Sequence, residues 1–176
     1  MSVAPYPQRA AKPNGWWGMA VFVATEATLF GALIGSYYNL RFKTPEWPPA
    51  GVPDPKVALP LILLAVLLAT SVPVQLAVKR RAWLVVALAL QVGYLAVQIQ
   101  LYADDLNKFT PQGSAYGSIY FTLVGAHHAH VLVGILLEVW LLLRPNVVGL
   151  QATAFYWHAV NALAIAVTLV QLSPSL

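Results

Sequence analysis

The sequence from Trp83 to Tyr102 reads WLVVALALQVGYLAVQIQLY, a stretch of twenty residues without a charged side chain. At 1.5 Å per residue, a helix of this length rises about 30 Å, which matches the hydrocarbon core of a bilayer. Basic residues 79–81 precede the stretch, and Asp104 and Asp105 follow it. The stretch is therefore predicted to be a transmembrane helix with charged residues at both ends.

The rest of the chain repeats this pattern. Hydrophobic residues make up 59% of the 176 residues and charged residues only 9%, against about 25% charged in typical soluble domains. This composition excludes a soluble enzyme and an intrinsically disordered chain. We expect an all-α membrane protein, a bundle of five transmembrane helices forming one membrane domain over residues 1–176. The predicted spans are approximately 16–38, 57–78, 83–102, 116–143 and 151–172.

The distribution of charge predicts the orientation. With the N-terminus inside, the cytoplasmic ends of the spans carry six basic residues and no acid, whereas the opposite ends carry four of each. Because Lys and Arg near span ends favour the cytoplasmic side, we expect a cytoplasmic N-terminus and an outside C-terminus. No continuous basic tract is present that could follow a phosphate backbone, so no nucleic-acid partner is expected. The cytoplasmic basic residues are Arg9, Lys12, Lys79, Arg80, Arg81 and Arg144.

Two acids lie within predicted spans. A charged carboxylate at the position of Glu26, near the middle of the first span, costs at least ~2.5 to 3.5 kcal/mol, so it should face protein or water. It is either a proton or lipid-headgroup site or a protonated acid hydrogen-bonded between helices. Glu138 is six residues from Arg144, and we expect it near the inner interface in a structural role, where it either snorkels to the interface or finds a basic neighbour.

The fourth span contains three histidines, which are common metal ligands. On a helix, His127 and His130 are about 60° apart on one face and His128 points elsewhere, so at most two ligands align. The chain has no HExxH motif and no cysteine, and no metal site is predicted. Two alternatives remain open. His130 and His158 could be the axial ligands of a b-type haem in an electron carrier, or Glu26 and the histidines could serve a proton-coupled transporter.

Five ordered motifs resemble subunit III of haem-copper terminal oxidases. The chain is similar to the five-helix version of that family, which lacks the first two spans of the longer members. The order and spacing of the motifs carry the resemblance from Trp16 to the C-terminus. The motifs are WGMAVFVATEATLF (Trp17–Phe30), WPPAG (Trp47–Gly51), AYGSIYF (Ala115–Phe121), GAHHAHVLVG (Gly125–Gly134) and YWHAVN (Tyr156–Asn161).

The resemblance implies a non-redox subunit with no catalytic residue and no haem or copper of its own. Its implied partners are the catalytic subunit I, which reduces oxygen to water with proton pumping, and the electron-input subunit II. It also implies a lipid-binding cleft with structural phospholipid, support of proton uptake, and a bacterial or archaeal plasma (inner) membrane. Relatives accompany quinol oxidases and nitric oxide reductases as well, so these complexes remain alternatives.

The same resemblance carries over individual residues. Glu26 matches the buried carboxylate of the family. Asn161 stands where the family usually has Asp, and Gln151 where a Glu is common, so two ionisable groups are replaced here. The other family-motif residues are Trp17, His127, His130, Trp157 and His158.

Overall fold

The computed structural model describes residues 12–53 and 56–175, and within these ranges the chain is helical without a strand. Five helical segments are long and apolar enough to cross a membrane, which confirms the predicted five-span helical architecture. Arg9, used above to predict the orientation, lies outside the described residues. The helices are α1 Asn14–Lys43, α2 Ala58–Ala69, α3 Ser71–Ala77, α4 Trp83–Leu106, α5 Ala115–Leu143 and α6 Val147–Leu172, followed by a 3₁₀ turn at Ser173–Ser175.

The second span is two helices, because α2 and α3 are separated at Thr70. Pro73 lies in the first turn of α3 and has no N–H group to donate to the carbonyl of Ala69. Removal of that hydrogen bond is a known cause of helix breaks. The prediction of one continuous helix for this span was therefore wrong. The break presents polar groups to α6.

Side-chain caps fix where α5 and α6 begin. The Ser114 hydroxyl oxygen accepts a 3.0 Å hydrogen bond from the N–H of Gly117, and the Asn146 side-chain oxygen accepts one of 2.5 Å from the N–H of Gly149. Each bond satisfies one of the N–H groups that a helix start leaves without an intrahelical partner.

The central helix is α6, which packs against α1, α2, α3 and α5. Helix α4 packs against α2, α3 and α5. Helix α1 packs only against α5 and α6 among the described helices, and only Phe30 and Tyr37 of its residues are buried. Most of α1 is therefore exposed at the edge of the bundle.

The approach of α5 to α6 depends on Gly134. A Cβ atom at this position would lie 2.6 Å from the ring of Trp157, a distance that no ordinary contact allows. Trp157 and Tyr156 are almost completely buried and belong to the largest apolar cluster of the bundle. By contrast, a Cβ atom at Gly31 or Gly35 would have no neighbour within 4 Å, so the GxxxG pattern of α1 is not used for packing within the described chain.

Candidate functional site

The first candidate site is a pair formed by Glu26 of α1 and His130 of α5. His130 Nε2 lies 2.7 Å from Glu26 Oε2, and the two side chains are 14% and 19% exposed. The other ring nitrogen, Nδ1, lies 2.6 Å from the backbone oxygen of Ala126. The two residues are 104 positions apart in sequence, and the packing of α1 on α5 brings them together.

The hydrogen bonds determine how many protons the pair holds. The oxygen of Ala126 can only accept, so His130 Nδ1 must carry a hydrogen. The contact between Nε2 and Oε2 then needs one more proton, either on the carboxyl or on the imidazole. The pair is thus a neutral acid with a neutral imidazole, or a carboxylate with an imidazolium. In both forms its net charge is zero, which reduces the cost of placing it within the bilayer.

Aromatic residues hold this pair in place. Phe30, which is fully buried, packs edge-on against the His130 ring at 5.2 Å between centroids. The Tyr156 hydroxyl donates a 2.9 Å hydrogen bond to the backbone oxygen of His130. The imidazole is therefore held by contacts from α1 and α5, and the backbone of His130 by a hydrogen bond from α6.

A second polar cluster forms where α6 crosses the break between α2 and α3. The Trp157 indole N–H donates to the Thr70 hydroxyl at 2.8 Å, and that hydroxyl donates to the backbone oxygen of Leu67 at 2.5 Å. The Asn161 amide lies 3.2 Å from the same backbone oxygen and donates at 2.7 Å to the Ser71 hydroxyl. These bonds fasten α6 to the groups exposed by the helix break.

His158 completes this second cluster. Its Nδ1 lies 3.3 Å from the Ser71 hydroxyl and its Nε2 lies 3.0 Å from the Gln75 amide oxygen. If Nε2–H donates to the amide oxygen, a neutral ring accepts at Nδ1 from the hydroxyl. The two hydrogen bonds of Asn161 account for an asparagine at this position. Its NH₂ group supplies two hydrogens, whereas an ionised Asp would supply none.

The other two family-motif residues lie apart from both clusters. His127 is buried, with neither ring nitrogen hydrogen-bonded among the described residues, and its ring centroid is 6.3 Å from that of His128. Trp17 is 57% exposed and packs edge-on against Trp16 at 5.1 Å. The sequence motifs therefore mark three different environments.

The hydrogen bonds do not favour the haem alternative. Each ring nitrogen of His130 and of His158 is within hydrogen-bond distance of a protein group, and the two rings use separate sets of partners. Axial ligation would require both rings to give up such a contact.

Glu138 has a partner that was not predicted from the sequence. This side chain is fully buried and accepts a 2.9 Å hydrogen bond from the amide of Gln91, which is also fully buried. The expectation of a basic neighbour at the interface was wrong, because α5 turns this residue towards α4. Polar Gln91 in an otherwise apolar span was the available signal.

The fold and these sites define a class of protein: an integral membrane protein of five helical spans with an acid–imidazole pair between two of them. Comparison with known proteins gives the family. The family model of cytochrome c oxidase subunit III matches residues 9–171. The chain belongs to the cytochrome c oxidase subunit III family.

Individual relatives have the same description. Cytochrome c oxidase subunit 3 of Petromyzon marinus is 33% identical over 168 residues, covering 82% of this chain and 64% of the relative. The Gallus gallus protein is 31% identical over 166 residues, with coverages of 82% and 64%. The Locusta migratoria protein is 28% identical over 166 residues, covering 82% and 63%. The chain thus matches slightly less than two thirds of the length of these relatives.

Proposed function

We propose that this chain is the non-redox subunit III of a haem-copper oxidase involved in aerobic respiration. It would support the catalytic subunit that reduces oxygen to water with proton pumping. The observation that carries the proposal is the Glu26–His130 pair, because it joins two of the family's motifs within the membrane at 2.7 Å. The chain itself would have no catalytic residue and no haem, copper or other metal ligand.

The pair fits a role in packing and proton uptake. It joins the most exposed helix, α1, to α5 through a proton shared by an acid and an imidazole. A shared proton can move between the two groups without leaving a net charge in the bilayer. The same groups could therefore hold α1 in place and accept or release a proton during turnover of the partner.

The exposed surface of α1 supports the proposed partners. Large apolar residues of this helix lie on the outside of the bundle, where they would contact phospholipid or the other subunits. We assign this surface to a lipid-binding cleft, with structural phospholipid, at the junction with catalytic subunit I and electron-input subunit II. The exposed apolar residues of this surface include Val21, Phe22 and Leu29.

The same proposal includes topology and location. The chain would form a single membrane domain in the plasma (inner) membrane of a bacterium or archaeon. The charge distribution supports a cytoplasmic N-terminus and an outside C-terminus. The identity of co-purifying subunits would distinguish a cytochrome c oxidase from a quinol oxidase or a nitric oxide reductase.

The test is Glu26→Gln in the assembled oxidase. The amide cannot share a proton with His130 as an acid does, so insertion should remain intact while phospholipid retention falls or activity is lost faster during turnover. Thr25→Val is the matched control, because it removes an exposed neighbouring hydroxyl that bonds only to its own helix. If Glu26→Gln has the subunit content, lipid content and lifetime of the wild type, the proposed role of the pair is wrong.

A further inference from the structure

A cavity of about 210 Å³ lies between α2, α4, α5 and α6, away from the Glu26–His130 pair. It lies at the end of the bundle where α4 ends and α5 begins, and it is bordered by the connection over residues 107–114. Its volume is several times the roughly 30 Å³ that one water occupies in the liquid.

Charged residues surround the mouth of this cavity. Lys108 Nζ lies 2.8 Å from Asp105 Oδ1, and this hydrogen bond raises the pKa of Lys108, which therefore stays charged. Lys56 and Asp104 also border the mouth and are exposed. Because charged side chains favour water over acyl chains, we expect the mouth at the aqueous surface of the membrane.

Polar groups continue from the mouth into the cavity. The Tyr120 hydroxyl donates to Asp105 Oδ2 at 2.8 Å and lies 3.5 Å from the amide of Gln171. Gln98 and Tyr102 line the opposite wall on α4. In all, 11 of the 19 lining residues have polar or charged side chains, and the other eight are apolar.

His128 marks how deep the cavity reaches. It is residue 14 of the 29 residues in α5, about 20 Å along the helix from Ala115 and so near the middle of the membrane. The His128 ring lies edge-on to Tyr102 at 5.6 Å and has no hydrogen-bond partner among the described residues. An imidazole that faces a cavity in the membrane without a protein partner needs another hydrogen-bonding group.

We propose that this cavity is a water-filled vestibule that brings water from the aqueous phase beside residues 107–114 to His128 in the middle of the membrane. Three observations converge on it: the volume, the polar and charged side chains that line it from the mouth to the deep end, and the unpartnered imidazole there. Dry cavities are lined by apolar groups, whereas polar and roomy ones hold ordered water. Polar side chains within transmembrane helices also face the bundle interior or a water-filled cavity. The vestibule would let His128 exchange protons with that aqueous phase, a property separate from any oxidase role.

The test uses the absence of cysteine from this chain, which allows single cysteines to be introduced without background. The protein, assembled in its native membrane, is treated with a membrane-impermeant methanethiosulfonate reagent, and labelling of this chain is measured by mass. His128→Cys should be labelled at least ~10-fold faster than its neighbour Ala129→Cys, since only a thiol in water ionises to the reactive thiolate. Ala129 lies at the same depth but on the outside of the bundle.

A second pair, on α4, covers the case in which His128→Cys does not assemble. Gln98→Cys, which lines the cavity, should be labelled faster than Val97→Cys, which is exposed on the outside of the bundle. Asn107→Cys in the connection reports which membrane side the reagent must reach. If Asn107→Cys is labelled while neither cavity cysteine reacts faster than its neighbour, the cavity does not hold water and the proposal is overturned. Labelling of the cavity cysteines only from the opposite side would also overturn it.

Discussion

Replacement of Gln91 by leucine tests the buried pair between α4 and α5. Gln91 Nε2 donates to Glu138 Oε1 at 2.9 Å, and both side chains are completely inaccessible to solvent. The amide oxygen of Gln91, Oε1, and the second carboxyl oxygen of Glu138, Oε2, have no hydrogen-bond partner among the described residues. The single amide-to-carboxyl bond is therefore the contact that compensates for burial of this acid.

The size of the effect follows from this burial. Gln91→Leu leaves the carboxyl group of Glu138 without its donor, and an orphaned buried polar group costs about 1 to 3 kcal/mol. Glu138→Leu leaves the Gln91 amide orphaned at a similar cost. The double variant replaces both groups by apolar side chains and should restore most of the free energy of unfolding. With both single losses near the lower end of this range and the double variant close to the wild type, we expect a coupling energy of roughly 2 kcal/mol, at the upper end for membrane proteins because the pair is completely buried.

The assay is unfolding of the detergent-solubilised chain by an SDS titration, applied to the wild type, the two single variants and the double variant. If the two single losses add in the double variant to within about 0.5 kcal/mol, the groups do not interact. That result would refute the reasoning from burial and from the hydrogen bond.

Two further predictions concern the contact of α6 with its neighbours. Thr70→Val should lower the free energy of unfolding by about 1 to 3 kcal/mol because it orphans the buried indole N–H of Trp157, whereas Thr70→Ser, which keeps the hydroxyl, should lose much less. Equal losses in the same SDS titration would contradict this. Gly134→Ala should cost about 1 to 3 kcal/mol, since its Cβ would lie 2.6 Å from the Trp157 ring. Gly31→Ala is the matched control, because a Cβ atom there would have no neighbour within 4 Å. It should be neutral or stabilising by up to about 1 kcal/mol. A similar loss of stability at both glycines would contradict the packing explanation.

The number and type of the spans could be predicted because each is an apolar stretch bounded by charges or turn residues. The stretch from Trp83 to Tyr102 is the clearest example, and α4 begins at Trp83 in the structure. The break at Thr70 was missed because hydropathy does not report backbone hydrogen bonding. Pro73 was the visible signal, and proline in the first turn of a helix is a common reason for a new helix to start.

The candidate site was less accessible to sequence reasoning. The sequence indicated that Glu26 must face protein or water, but not that His130 is the residue in contact with it. That contact depends on how α1 and α5 are rotated about their axes. The hydropathy pattern of these helices does not specify that rotation. Glu138 shows the same limit, because its rotation towards Gln91 is set by packing and not by its distance from Arg144.

The central claim is that this chain works as a subunit beside redox proteins and not alone. The most direct measurement is purification of the tagged chain from its native membrane in mild detergent, followed by subunit identification and an optical spectrum. We expect equal amounts of this chain and of a haem-containing catalytic subunit in the purified complex. After the chain is separated from its partners, its own spectrum should contain no haem absorbance. A chain that elutes alone in its native state, or that keeps an intense haem band after separation, would contradict the central claim.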